Sequence, residues 1–373
     1  MDEKRSALFT IIVIASVIVV FGAADLIQGD RLFSETENRV LAERPEFTLD
    51  AFLREGYAQK YEAYLSDQFV SRDKWITIKT QMDLLLQEKE INGVYLGSDG
   101  YLIERHLPED YSHVQEAKKI ALLEKLVWEW DAAVMLVPTA DNILTDKLPK
   151  YAPCYDQEQF LDQVEQHVGP ENYIDVYSVL REHAQEEIYY RTDHHWTSLG
   201  AGYGYDAWAE FAGWRGGRYS AEKMELVAED FLGTLQRKVN LNMAGDDIYY
   251  FPNTLKRTMR VTYDRGEESD SCYEASYLDT KNKYGFFLDD NHAFVEIETG
   301  YRNGKTLFVI KDSYANCFIP LLMPYYENIY VLDLRYFRGR LFEFMESYEP
   351  EGGMDVLVLY NCIHFLEEFS YVE

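Results

Sequence analysis

The chain is 373 residues long, 47% hydrophobic and 27% charged, which excludes wholesale disorder and is enough for one large domain or two ordinary ones. Asp and Glu number 65 against 36 Lys and Arg, a formal net charge of −29. The balance argues against nucleic acid as the main partner and against adhesion to anionic lipid through a basic patch, because both need a positive field. Cys154, Cys272, Cys317 and Cys362 are too few for a disulfide scaffold and form no CxxC pair for structural zinc.

From Ser6 to Ala24 no residue is charged, and Leu8–Phe21 is almost wholly Ile, Val, Leu, Phe and Ala. A helix rising about 1.5 Å per residue just crosses a hydrocarbon core of roughly 30 Å over such a stretch. Lys4 and Arg5 before it, with Asp25 and Asp30 after it, predict a cytoplasmic tip over 1–6 and a transmembrane anchor over 7–27. Gly22-Ala-Ala24 offers a cleavage site, but the apolar run exceeds the roughly 7–15 residues of a signal-peptide core, so an uncleaved single-pass anchor is expected. The main domain is then extracytoplasmic. Disulfides are permitted there, and three pairings of four cysteines stay open.

Residues 28–90 read as a membrane-proximal stalk and helical region. Phe52, Tyr57, Tyr61, Leu65, Phe69, Trp75, Ile78, Met82 and Leu85 fall near helical spacing over 50–90. Ile91–Gly97 and Tyr101–Ile103 predict two short strands about a tight turn. Beyond them, over 91–373, helices and apolar strands alternate. Helices are expected at 112–129, 157–168 and 197–212. Strands are expected at 132–137, 173–176, 188–191, 259–263, 306–311, 328–332 and 355–360. Alternation of this kind predicts an α/β layered fold with a mainly parallel sheet. Residues 213–300 read as an irregular insertion. Gly300–Thr306 is one residue short of a phosphate-binding loop and precedes a strand, so a hairpin turn is expected there.

Two segments carry chemistry. In Thr192-Asp-His-His-Trp-Thr-Ser198, an extended chain points Asp193 and His195 to one side and His194 to the other. A carboxylate beside an imidazole fixes its tautomer, as a general base requires. In Thr306–Ser313, an apolar strand delivers Ser313 to its C-terminal end, where ligands of α/β sheets collect and helix N–H groups can face an oxyanion. Taken alone, each segment is also explained by helix capping. Together they supply a nucleophile, a base and an orienting acid.

Asp193-His-His-Trp196 is the signature of the bacterial DHHW proteins, which this chain resembles over nearly its whole length. Ser34–Arg39, Asn92–Gly97 with Asp99-Gly100, Phe231–Leu235 and Leu332–Tyr336 match as well. That family in turn resembles the alginate O-acetyltransferases, with their SGNH-hydrolase-like domain. The resemblance implies a permuted SGNH-like domain, acyl transfer to an exported polysaccharide, and Ser313, His195 and Asp193 as the catalytic triad. It also implies a multispanning membrane acyltransferase as the partner that supplies the acyl group. Asn291 and Asn361 are candidates for an oxyanion amide and Arg335 for substrate positioning, with an ordinary salt bridge the alternative for Arg335. No cofactor is expected. Two features depart from the pattern: Lys311 stands where the nucleophile block has glycine, and Asp290-Asn-His292 replaces Gly-Asn-His. Two other classes stay open: a metal-dependent phosphoesterase using Asp193, His194 and His195, and a non-catalytic glycan-binding or scaffold protein.

Overall fold

The computed structural model describes residues 3–34, 39–53, 56–214, 219–252, 258–264 and 266–372. Met1 and Asp2 of the expected tip, residues 35–38 of the Ser34–Arg39 stretch, and the side chains of the flanking charges Lys4 and Asp25 lie outside them. The chain divides into two compact units, Met1–Glu88 with Arg237–Leu241, and Lys89–Gln236 with Asn242–Glu373.

In the first unit Glu3–Gln28 is one helix. Its Arg5–Ala24 stretch has a mean hydropathy of 2.8 and is not buried by other parts of the chain, so it is long and apolar enough to cross a membrane. Near its end the Phe21 ring meets Phe69 and Trp75, with centroids 5.9 and 5.5 Å apart. The helical periodicity of 50–90 resolves into three helices, Leu49–Leu53, Tyr57–Gln68 and Arg72–Leu85. The breaks fall where Gly56 (φ 111°) and Ser71 (φ 54°) take left-handed backbone that no α-helix can continue through.

The second unit opens with a three-stranded antiparallel ladder, Glu90–Ile91, Val94–Leu96 and Leu102–Glu104. Asn92-Gly93 and Asp99-Gly100 turn it, all four at positive φ, which Asn, Asp and Gly tolerate best. Among the described residues the main sheet has seven strands: β1 (Ala133–Val137), β2 (Arg260–Tyr263), β3 (Glu268–Ser269), β4 (Phe294–Glu298), β5 (Thr306–Lys311), β6 (Asn328–Asp333) and β7 (Asp355–Asn361). Their order is β3-β2-β4-β6-β5-β7-β1. The pairings β6-β5, β5-β7 and β7-β1 are parallel, whereas β3-β2, β2-β4 and β4-β6 are antiparallel. The sheet is therefore mixed and not mainly parallel. The antiparallel half comes from the region read as an irregular insertion, which supplies β2, β3 and β4 and a separate ladder of Glu225–Phe231 with Asp246–Tyr250.

Along β5 the side chains alternate between two cores. Leu307 and Val309 join Ala201, Tyr205 and Trp208 of helix Ser198–Phe211. Phe308 and Ile310 join helices His113–Trp130, Gln157–Val168 and Cys362–Glu368 on the opposite face. Each such buried side chain contributes roughly 1.5–3 kcal/mol, and covering both faces makes the strand apolar from Leu307 to Ile310.

Four local expectations differ. The strand expected over Ile91–Gly97 is broken by the Asn92-Gly93 turn into Glu90–Ile91 and Val94–Leu96. Tyr173 makes one isolated bridge to Val134, and Asp175 then caps helix Val176–Glu182 by accepting the Ser178 N–H at 3.0 Å. Ile188–Arg191 is likewise no strand, having a single bridge from Tyr189 to Trp196. Gly300–Thr306 is not a hairpin turn, because β4 and β5 lie on opposite sides of β6 and the segment crosses between them. All four cysteines are free thiols, with Cys272, Cys317 and Cys362 buried.

Candidate active site

At the carboxyl end of β5 the backbone passes through Asp312 into a 3₁₀ turn over Ser313–Cys317. The Asp193–Trp196 loop comes to the same edge although 118 residues separate His195 from Ser313. Ser313 Oγ lies 2.8 Å from His195 Nε2, and His195 Nδ1 lies 2.6 Å from Asp193 Oδ1. The carboxylate only accepts, so Nδ1 carries the proton and Nε2 presents its lone pair to the serine hydroxyl. Asp193, His195 and Ser313 are all buried.

The supports of Asp193 come from a stretch whose role the sequence did not show. Thr234 donates to Asp193 Oδ2 from its backbone N–H at 2.8 Å and its hydroxyl at 3.1 Å, while the His195 N–H reaches Oδ1 at 3.1 Å. Burial opposes ionisation of Asp193, but the neighbouring imidazoles and these donors outweigh it and hold the carboxyl well below its ordinary range. Behind it, buried Asp246 accepts the Arg191 and Thr192 N–H groups at 2.9 and 2.8 Å, fixing the entry to the loop. Gly233 donates to Thr192 Oγ1 at 3.0 Å. The Phe231–Leu235 stretch, known from sequence only as a matching motif, is thus the cradle of Asp193.

The rest of the four-residue signature is structural. Trp196 Nε1 donates to the Tyr314 carbonyl at 2.8 Å, and the Tyr314 hydroxyl donates back to the His194 carbonyl. The two segments are therefore tied on both sides of the His195–Ser313 contact. Tyr284 stacks on His195, with centroids 3.9 Å apart and planes 12° apart, and its hydroxyl donates to the Ser313 carbonyl at 3.2 Å. His194 does not face away as strand alternation suggests. The segment is a loop, and the His194 ring lies 3.9 Å from the His195 ring. Its Nδ1 is 2.8 Å from Thr234 Oγ1, and burial, with the adjacent His195, lowers its pKa to about 3.

The remaining predicted residues are brought near the serine turn but are engaged elsewhere. Asn361 Nδ2 donates to Asp312 at 2.9 Å, and its Oδ1 caps the following helix through the Ile363 and His364 N–H groups. Asn291 Nδ2 donates to Asp290, while its Oδ1 accepts from Lys311 and Arg335, each at 3.2 Å. Arg335 forks onto Asp333 at 2.6 and 2.9 Å, the salt-bridge alternative. Each is thus held by neighbours, and among the described residues none of the three hydrogen-bonds to Ser313. Lys311, in the glycine position, is fully buried, with Nζ 2.7 Å from Asn316 Oδ1 and 3.4 Å from Asp333.

One oxygen or nitrogen each of Asp193, His194 and His195 lie within 4.8 Å of one another, close enough in principle for a metal ion. Both His195 nitrogens and the Nδ1 of His194 are already hydrogen-bonded, to Asp193, Ser313 and Thr234. This donor set fits a proton relay better than a coordination shell.

Fold and site together define an α/β protein in which serine, histidine and aspartate side chains are hydrogen-bonded in line beside the carboxyl end of β5. Residues 126–332 match the family model described as DHHW protein. The chain belongs to the DHHW family. A DHHW family protein from Eubacterium siraeum DSM 15702 is similar in structure, at 25% identity and a TM-score of 0.60, over 74% of this chain and 93% of that one. Bacillus cereus PatB1, solved with a sulfonyl adduct, is similar at 22% identity and a TM-score of 0.59, over 75% of this chain and all of the other. The O-acetyltransferase domain of Pseudomonas putida AlgJ aligns at 16% identity and a TM-score of 0.44, over 74% and 94% of the two chains. No curated protein sequence matches.

Proposed function

We propose that this protein is a membrane-anchored, extracytoplasmic serine acyltransferase or esterase that O-acetylates a cell-envelope or exported polysaccharide. The observation that carries the reading is the unbroken chain from Ser313 Oγ through His195 to Asp193. His195 takes the serine proton as Oγ attacks the acyl carbonyl, and Asp193 stabilises the imidazolium that forms. The tetrahedral oxyanion is met by the Ser313 N–H, which has no partner among the described residues. Collapse leaves an acyl-serine, and a sugar hydroxyl, or water in the esterase, takes the acyl group with His195 again as base.

In this reading residues 7–27 are the anchor, 28–90 a spacer and 91–373 an SGNH-like catalytic domain of permuted order. The acyl donor comes from a multispanning membrane acyltransferase, and no cofactor takes part. The fold shared with PatB1, which has been captured with a sulfonyl adduct, is consistent with electrophile chemistry at such a site. The test is turnover of p-nitrophenyl acetate by the full chain in detergent, with Ser313→Ala and His195→Ala alongside. Loss in both variants is expected, and equal rates in all three proteins overturn the proposal.

A further inference from the structure

Beside the relay lies a second group of polar side chains that the mechanism above leaves unused. A small recess is lined by Glu104, His106, Asp141, His194 and His364, with Tyr314 of the serine turn in its wall. Its enclosed part, about 20 Å³, holds one hydroxyl-sized group. His194 is shared with the relay, its ring lying against His195 on one side and 5.9 Å from the ring of His364 on the other.

Hydrogen bonding fixes what these rings present. Thr234 uses its hydroxyl proton on Asp193, so its oxygen accepts from His194 Nδ1–H, and His194 turns an Nε2 lone pair outward. Asp312 accepts from Tyr314 N–H, Asn361 N–H and Asn361 Nδ2, and lies 2.9 Å from His364 Nδ1. Nδ1 of His364 therefore carries a proton as well, and its Nε2 edge has no partner among the described residues. On the opposite wall Asp141 accepts from Thr139 Oγ1 and Gln157 Nε2 and holds His106 Nδ1 at 3.1 Å, with Glu104 4.0 Å from Nε2. That wall is negative whether or not the imidazole is charged, and no lysine or arginine is among the described residues that line the recess.

A recess with the outward His194 lone pair and the Glu104–Asp141 wall, and with no lysine or arginine among its described lining residues, selects a ligand that donates hydrogen bonds and bears no negative charge. We propose that it is the acceptor subsite, in which His194 and His364 position a hydroxyl of an uncharged sugar. A uronate polymer of the alginate type is disfavoured by the same walls and by the net charge of −29. The inference rests on the acyl-transfer reading. The sugar oxygen bonds to the acyl carbon as the bond to Ser313 Oγ breaks, its proton passes to His195, and the serine recovers that proton. His194 and His364 are positioning residues in this scheme.

The test separates binding from chemistry. In full-length Ser313→Ala protein, calorimetry is run with an N-acetylglucosamine tetramer, a mannuronate tetramer and Zn²⁺. The neutral tetramer is expected to bind, and His364→Ala and His194→Gln, each checked for an unchanged melting temperature, are expected to weaken it at least tenfold. In the Ser313 enzyme the acceptor KM should rise by a similar factor, more than the KM for the acyl donor. Equal or tighter binding of the mannuronate tetramer overturns the proposal. So does neutral binding that is absent or indifferent to both variants, or stoichiometric Zn²⁺ uptake that His364→Ala abolishes. Sugar binding without ester turnover by the wild type would remove the acyl-transfer reading and leave a glycan site.

Discussion

Gly233 packs directly against Asp193. A Cβ built on the glycine would lie 2.3 Å from Asp193 Cβ and 2.5 Å from Oδ2, well inside van der Waals contact. Neither partner has room to yield, because Asp193 is held by Thr234 and His195. Gly233→Ala is therefore expected to push the carboxylate off the imidazole. A displacement of this kind costs roughly 10²-fold in turnover, and overpacking costs about 1–3 kcal/mol of stability. Ester turnover and a denaturant melt of the variant check both figures, and a wild-type rate would mean that Asp193 does not orient His195.

Ser313→Ala and His195→Ala should each lower ester turnover by about 10³-fold or more, and the double variant should be no worse than either single, because the two groups act as one unit. Asp193→Asn keeps the shape but offers an N–H where Nδ1–H now donates. A fall of similar order is expected from the wrong tautomer. Additive losses in the double variant would argue against a relay.

Phenylmethylsulfonyl fluoride should add one sulfonyl group to the wild-type chain at Ser313, slowly or not at all in His195→Ala, and never in Ser313→Ala. Intact-protein and peptide mass spectrometry read the result. Modification elsewhere at the same rate would show that Ser313 is not activated.

Lys311 stands fully buried beside Asp333 and Asn316. Burial lowers its pKa, and the Asp333 carboxylate works against that shift. Lys311→Met removes one counter-charge and leaves Arg335 as the remaining cation on Asp333, so a loss of about 3 kcal/mol is expected in urea melts. A neutral result would mean that Arg335 alone satisfies the aspartate.

His194 has a folded pKa of about 3 against an ordinary value of 6.5. Between these values the unfolded chain binds the extra proton, so this residue makes stability fall as pH drops below 6.5. His106 and His364, held above their ordinary values by Asp141 and Asp312 despite burial, act in the opposite sense: their contribution is complete below 6.5 and lost as pH rises. His194→Gln should therefore lose less stability than the wild type between pH 7 and pH 4.5. Melting temperatures at the two pH values test this, and parallel losses would show that the folded chain does not hold His194 neutral.

Much of this was legible from local pattern. The apolar run of β5, the N-terminal helix and the Asp99-Gly100 turn follow from periodicity and backbone preference, which act over a few residues. The Asp-x-His pair and the strand-end serine were visible as a nucleophile and base in want of contact. The sheet's antiparallel half was not: Arg260–Tyr263 reads as a strand, but Glu268–Ser269 and Phe294–Glu298 do not, and the direction in which these strands pair is set by partners remote in the chain.

The same division holds at the site. Residue chemistry by itself determined that a serine, an imidazole and a carboxylate were available, and on which segments. Only the tertiary fold decided that Thr234 and Gly233 seat Asp193, that Tyr284 levels the His195 ring, and which neighbours hold Asn291, Asn361 and Arg335. The reason is physical: which donor meets which acceptor is a matter of a few ångströms between elements remote in the chain, and no local propensity encodes that distance.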